Sequence, residues 1–392
     1  MKYSLTCTGI ALCVLLSGCS TAPVIETAEQ PATLDLQTDV FGERPDIVSV
    51  SGIHTLTDDQ QRDFQRYFTN ARNKGTPPHR RVYDYLALET SNFDYQGRTS
   101  TASEALDSAS GNCLSLAILT TALAKLANVE IDYQLIDSDP VFQASGGVIR
   151  RSRHVRSLLY DADSEVDQNA TSFMFVRRAR IAVDYFPSKT DRFIANIDEA
   201  EYFALYYQNI AADALEDGDL NRAYWLSMES LKFSELSPES LNMLAIVFDR
   251  AGHPGKSEEI YKYGIEHATR QVSLLRNYGK FLKRNGRLSE AEQVNKRLAA
   301  LDDPNPFDWI FAGQEAYGNG NYHRAIRWFE KSAELAPYLH ESHFGLARAH
   351  FRLGNMTQAE KALEQAIANA GQSSTRQLYE AKLHALSASN TR

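Results

Sequence analysis

Five glycines, Gly218, Gly252, Gly286, Gly320 and Gly354, follow one another at intervals of 34 residues in the C-terminal half of the chain. Small residues keep the same period: Ala211, Ala245, Gly279, Gly313 and Ala347 seven positions before each glycine, and Ala223, Ser257, Ala291, Ala325 and Ala359 five positions after it. A fixed period of this length means one supersecondary unit repeated, each copy covering the apolar face of the last. The small residues let two helices approach closely, and the glycine between them ends the first helix in the left-handed conformation that other residues resist. Residues 204–371 are therefore expected to be five stacked helix pairs, all α. In 372–392 the run "STRQLYEAKLHALSAS" has the spacing of a final capping helix followed by a tail.

The unit "WIFAGQEAYGNGNYHRAIRWFEKSAELAP" resembles the tetratricopeptide repeat through Trp309, Gly313, Ala325, Phe329 and Pro337. The unit from Val272 departs from the pattern, with Asn295 where the aromatic belongs, which leaves the packing at that place open. The resemblance implies a peptide-binding inner face built from the first helix of each pair. Its exposed positions would include Arg276, Lys280, Lys283, Tyr317, Arg348 and Phe351. A basic, aromatic inner face suits an acidic or C-terminal peptide segment, and the plain alternative is a solvated helical face.

The chain has 392 residues, 43% of them hydrophobic and 23% charged, the composition of an ordinary globular protein with room for two or three domains. A formal charge of −9 excludes a general nucleic-acid binder, because phosphate contacts need a basic surface. The opening "MKYSLTCTGIALCVLLSGCSTAPV" has a basic start at Lys2, an apolar run from Ile10 to Leu16 and small residues before Cys19. That is secretory signal architecture, with an apolar run too short to span a bilayer. Leu16, Ser17, Gly18 and Cys19 resemble the bacterial lipobox. The resemblance implies that residues 1–19 are a lipoprotein signal peptide, with lipid carried on Cys19 after cleavage. Ser20 after it implies the outer membrane, facing the periplasm of a Gram-negative envelope. Residues 20–50, polar and proline-containing, read as a tether.

Cys7 and Cys13 would leave with the signal, so Cys113 is the one remaining thiol, in an oxidising compartment where it has no partner for an internal disulfide. It is either a core residue or a reactive group. The surrounding region, 51–200, begins with helical segments, "DDQQRDFQRYFTNARN", "RVYDYLALET" and the apolar run after Cys113. Strand-like runs follow: "VEIDYQLID", "RHVRSLLYD", "SFMFVRRA" and "ARIAVDYF". The "SGG" of Ser145 to Gly147 reads as a loop or turn. Helices and then strands predict an α+β domain with an antiparallel sheet packed on the cysteine helix.

A nucleophilic cysteine gains from a helix N-terminus, whose N–H groups and dipole favour the thiolate, and needs a histidine base held by an acid or amide. His154 is the histidine within the strands downstream of Cys113; Asp184, inside an apolar run, is the preferred acid, with an ordinary buried ion pair to Arg177, Arg178 or Arg180 as its alternative. Asp161 and Asp163 read as solvated turn residues.

From Phe93 and Tyr95 through Thr101, Ala102, Glu104, Ala105 and Leu106 to Gly111 and Cys113, and on to the strands, residues 80–190 resemble the transglutaminase-like superfamily of papain-type thiol folds. The resemblance implies a catalytic triad of Cys113 as nucleophile, His154 as base and then acid, and Asp184 as its orienter. The chemistry would be hydrolysis or acyl transfer at a protein or peptide amide. The sequence departs from the family where Arg156 replaces the usual aromatic two residues after the histidine, and where an insertion near "DADSEVDQNATS" lengthens the path to Asp184. These departures keep a second reading open, a non-catalytic envelope scaffold that uses a degenerate thiol domain and the repeats. Neither reading requires a cofactor. His340 and His343 stand at helical spacing without an obvious third metal ligand, so no metal is expected. Partners are a protein or peptide substrate, other envelope proteins through the repeats, and the membrane through the lipid.

Overall fold

A capping box starts the helix that matters most. Asn112 and Ser115 bond each other's backbone N–H groups, and α5 (Cys113–Leu126) runs from there as the apolar centre of the N-terminal domain, buried from Leu114 to Ala124. Its buried hydroxyls turn back on the helix: Thr120 and Thr121 donate to the carbonyls of Leu116 and Ala117, both at 2.7 Å. The computed structural model describes residues 34–95, 98–137, 142–145, 148–151, 154–162, 179–185, 192–301, 305–371 and 373–390. The chain divides into the stretch Met1–Leu36 and the compact unit Gln37–Arg392. The signal peptide, Cys19 and most of the tether, together with the strand expected at "SFMFVRRA", lie outside the described residues.

Ahead of α5 come α1 (Val50–His54), α2 (Asp58–Phe68), α3 (Pro78–Glu89) and α4 (Ala102–Ser108). Gln60 of α2 joins its own capping box and donates to Asp107 of α4 at 2.7 Å, tying the two helices. After α5 come β1 (Ile131–Asp137), the hairpin β2 (Phe142–Ser145) and β3 (Val148–Arg151), β4 (His154–Tyr160), β5 (Arg180–Val183) and β6 (Arg192–Ile197). The main sheet has the order β5-β4-β1-β6, antiparallel throughout, with α5 against β4. The expected helices-then-sheet arrangement is present. Sequence reading missed the hairpin and β6.

The domain does not stop where the repeats begin. α6 (Glu199–Glu216), the first repeat helix, sends Tyr202 into the sheet's core, stacked on Tyr133 with ring centroids 4.3 Å apart. Tyr133 in turn bonds Thr121 of α5 through its hydroxyl at 3.1 Å. The expected tether also ends early. Phe41 stacks on Tyr224 at 4.3 Å, Trp225 donates to the carbonyl of Gly42 at 3.0 Å, and Tyr207 donates to the carbonyl of Val48 at 2.8 Å. Residues 41–48 are thus laid against the first repeat.

The other repeat helices are α7 (Leu220–Leu231), α8 (Pro238–Arg250), α9 (Pro254–His267), α10 (Val272–Arg284), α11 (Leu288–Ala299), α12 (Pro306–Gly318), α13 (Tyr322–Leu335), α14 (His340–Arg352) and α15 (Met356–Asn369). The cap is α16 (Ser373–Asn390). The five periodic glycines sit at the turn inside each pair with φ between 74° and 83°. The fourth and fifth repeats meet through small residues and one aromatic. Phe329 of α13 lies where a Cβ on Gly313 or Gly345 would come within 2.7 and 2.5 Å of its ring, so the glycines make its socket. Ser230 bonds Ser240 at 2.8 Å, and Ser332 bonds Ser342 at 2.7 Å, at equivalent places of two junctions.

The junction between the third and fourth repeats is built otherwise. There the equivalent residues are Leu298 and Asp308, and the aromatic's place is taken by Asn295, which is exposed. Only Ala291 is buried on α11. An apolar cluster starts afresh at Phe307 and runs to Ala349 without a residue of the third repeat. What spans the joint is polar: Arg276 bonds Asp308 at 2.9 Å, and Lys280 lies over the ring of Phe311 at 4.9 Å. The joint beside Asn295 lacks the aromatic that Phe329 supplies at the equivalent place of the next unit.

Candidate functional site

Cys113 is the first residue of α5 and is half-buried. Its surroundings are stitched through Ser115, whose Oγ accepts from the backbone N–H of Ser100 at 2.9 Å and of Asn112 at 3.3 Å. The Asn112 amide reaches the same strip of chain, donating to Thr99 Oγ1 at 2.6 Å. Gly111 has φ +156°, and a Cβ there would stand 2.7 Å from Ser115 Cβ, so the close turn needs glycine. The run Gly-Asn-Cys-Leu-Ser therefore works as one local unit that holds the thiol at the helix end toward which first-turn N–H groups point.

The sheet brings its own candidates to this end. β1 leaves the far end of α5 and runs back along it; β4 pairs antiparallel to β1 with Ile131 opposite Leu159 and Ile136 opposite His154. The backbone of His154 thus stands at the end of the domain that carries Cys113; its side chain lies outside the described residues. Asp184 and Tyr185 follow β5 directly, and the Tyr185 hydroxyl donates to the carbonyl of Leu116, one turn into α5, at 3.1 Å. Burial first of all raises the Tyr185 pKa, with Cys113 among the smaller contributions in the same direction. Tyr185 also bonds Thr120 and packs on the cluster of Phe93, Ala105 and Leu116. Nothing in the sequence singled it out beyond its adjacency to Asp184.

Asp184 has a described neighbour that sequence reading did not assign to it. Its Oδ2 lies 3.8 Å from Nη1 of Arg156, whose Nη2 donates to Gln134 at 2.8 Å. The residue standing where the thiol family has an aromatic is the one paired with the acid. Two other histidines mark the opposite end of α5. Burial, aided by Lys125 and opposed by Glu199, lowers His54 to about 4. Nδ1 of His79 is 3.6 Å from Asp161, which was read as a solvated turn residue and is a partner instead.

On the inner face of the repeats the six expected residues separate into two groups. Arg276 is consumed: with a side chain only 12% exposed, it is paired to Asp308. Lys280, Lys283, Tyr317, Arg348 and Phe351 remain accessible in whole or part, and Arg348 lies over the ring of Tyr317 at 4.2 Å. Burial holds Lys280 below the ordinary lysine value, with Asp308 opposing. His340 and His343 are spoken for by Tyr379 at 2.9 Å and the carbonyl of Pro337 at 2.8 Å.

Residues 312–374 match the tetratricopeptide repeat family model. Together with the five helix pairs, this supports an all-helical, tetratricopeptide-repeat-like solenoid in the C-terminal region. No curated protein matches the chain. Among solved structures, Pseudomonas aeruginosa PilF aligns over 47% of this chain and 85% of its own at 21% identity, with a TM-score of 0.37. PilW, a widely conserved type IV pilus biogenesis factor, aligns over 48% and 94% at 16% identity and TM-score 0.35. YrrB, a repeat protein with an unusual peptide-binding site, aligns over 45% and 91% at 15% identity and TM-score 0.29.

Proposed function

We propose that this protein is an envelope lipoprotein that recruits a protein or peptide with its repeats and presents an amide of it to the thiol of Cys113. What supports the reading is the local unit around Gly111, Asn112 and Ser115, which opens α5 at Cys113, together with the register that pairs the backbone of His154 with Ile136 at the end of β1. In the proposed reaction the Cys113 sulfur attacks the amide carbonyl, and His154 passes the thiol proton to the leaving amine. The thioester formed is then taken by water, giving hydrolysis, or by an amine, giving acyl transfer. Lipid on Cys19 would hold the protein at the outer membrane, facing the periplasm.

A second reading, a non-catalytic scaffold, is favoured by one observation: Arg156 lies against the carboxylate that the first reading assigns to His154. Incubation of the protein with dye-labelled casein and a fluorescent primary amine separates the outcomes. Released fragments mean hydrolysis and amine incorporation means transfer, each abolished in Cys113→Ala. Neither product, at any protein concentration, would establish the scaffold.

A further inference from the structure

The second helix of each unit packs by the same positions, and on α11 those positions are left open. Asn295 stands at the place of Ser227, Tyr261, Phe329 and Leu363, all of them buried, and is itself exposed. Leu298 stands at the place of Ser230, Gly264, Ser332 and Ala366, again all buried, and is only half-buried. Leu288 at the start of the helix and Leu301 just past its end are 66% and 47% exposed. An apolar stripe on α11, through Val294 and Leu298 to Leu301, is thus only partly covered by the unit that follows.

The chain on either side of this joint is packed in its own right. The first repeat is bound to the N-terminal domain through Tyr202 and meets the second through Ser230 and Ser240; the second meets the third at Gly264, where a Cβ would stand 2.9 Å from Leu274. Beyond the joint, one apolar cluster runs from Phe307 to Ala349 and another joins Ala347, Leu363 and Ala366 to Tyr379 of the cap. Between the two blocks the inner helices α10 and α12 touch through Arg276 on Asp308 and Lys280 over Phe311. Asp308 serves both cations, since it also opposes the burial that holds Lys280 below the ordinary lysine value.

We infer that the solenoid articulates at this joint: the fourth and fifth repeats and the cap move as one block against the N-terminal domain and the first three repeats, turning about the contact of Arg276 with Asp308. Interdigitated apolar interfaces hold a single arrangement, because rotation opens voids in them. An ion pair and a cation over a ring fix a separation and leave the angle between the helices free. Closing the angle brings α12 onto α11 and covers Val294, Leu298 and Leu301, which favours closure. The Asn295 amide loses its water in the same movement, which opposes it. The joint is thereby poised between two arrangements of similar free energy, as a hinge requires. The motion changes the distance from the N-terminal domain to the last repeats, and it stands whether or not Cys113 reacts with an amide.

The test is a pair of spin-label distance measurements in the full-length chain with Cys7, Cys13, Cys19 and Cys113 replaced by serine. Gln293→Cys with Arg327→Cys places labels across this joint. Arg327→Cys with Lys361→Cys places them at the same positions one period later, across the joint between the fourth and fifth repeats, since 327 − 293 = 34 and 361 − 327 = 34. All three positions are exposed. The expected result is a distance distribution about twofold broader or more for the first pair, or one split into two distances, beside a single narrow distance for the second. Asp308→Asn, which keeps the shape and removes the charge, broadens the first distribution further and leaves the second unchanged. Equally narrow distributions for the two pairs would overturn the inference, and so would a first distribution that Asp308→Asn leaves unchanged in a protein of unchanged melting temperature. The comparison of the two pairs needs no change at the joint itself, so it decides the matter even if Asp308→Asn fails to fold.

Discussion

Arg98 forks onto Asp217, its two terminal nitrogens 2.5 and 2.6 Å from the two carboxylate oxygens. Arg98 belongs to the strip of chain pinned over the start of α5 by Ser115, while Asp217 caps α6 at the turn of the first repeat. The thiol's surroundings are therefore tied to the solenoid by a two-pronged contact as well as through Tyr202. Bidentate geometry makes such a pair specific, although exposed pairs contribute only about 0.2–1 kcal/mol. Arg98→Ala and Asp217→Ala are each expected to lower the alkylation rate of Cys113 at about pH 6.5 severalfold while shifting stability by no more than about 1 kcal/mol. The double variant adds little to either single one, as expected for one shared contact. Rates unchanged in both single variants would remove the link.

Gly111→Ala tests the local unit that presents the thiol. A Cβ at that position meets Ser115 in a backbone conformation that side chains resist. The expected penalty is about 1–3 kcal/mol. Urea unfolding measures it, and the same substitution at Gly75, where a Cβ meets nothing within 4 Å, is the neutral comparison.

Much of this was legible beforehand. The helix opened by Cys113 is legible in the apolar run that follows it, although its cap by Asn112 and Ser115 is not, and the glycine period alone places all five repeats. The role of Tyr202 was not legible, because the repeat register accounts for the whole of α6 without it. Phe41 was hidden for a related reason: a single aromatic in a polar stretch carries no period, and only the groove between Tyr224 and Phe248 gives it a place. Arg276 looked available because its neutralising partner, Asp308, is on the next unit, at a place where two other junctions carry the serines Ser240 and Ser342.

His54 makes folding sensitive to acid. Its ring stacks on Tyr202 and tilts against Phe203 of α6, Nε2 has no hydrogen-bond partner among the described residues, and its pKa is lowered by burial to about 4. An unfolded imidazole titrates near about 6.5, so below that value the unfolded chain takes up a proton that the folded one refuses. The contribution is complete above about pH 6.5 and is lost as pH falls through the folded value, at most about 3 kcal/mol. His54→Phe is expected to flatten the urea midpoint between about pH 7 and about pH 4.5. An unchanged slope contradicts the assignment to His54.

Phe329 and Asn295 occupy the same place in adjacent units and should respond oppositely. Truncating Phe329 empties a socket made by Gly313 and Gly345, for an expected loss of about 3–5 kcal/mol. Asn295→Ala, at an exposed position, is expected to change stability by less than about 0.5 kcal/mol. Thermal melts of the two variants decide this, and similar losses would mean that the third-to-fourth joint is as firmly packed as the others.

The central claim, that Cys113 is held for chemistry rather than for packing, is tested most directly by its rate of reaction with iodoacetamide at about pH 6.5 in folded and urea-unfolded protein. The account predicts that the folded thiol reacts faster, by about tenfold or more, and that His154→Ala erases the advantage. A thiol that reacts only once the protein is unfolded would contradict it, and would leave the inner face of the repeats as the seat of function.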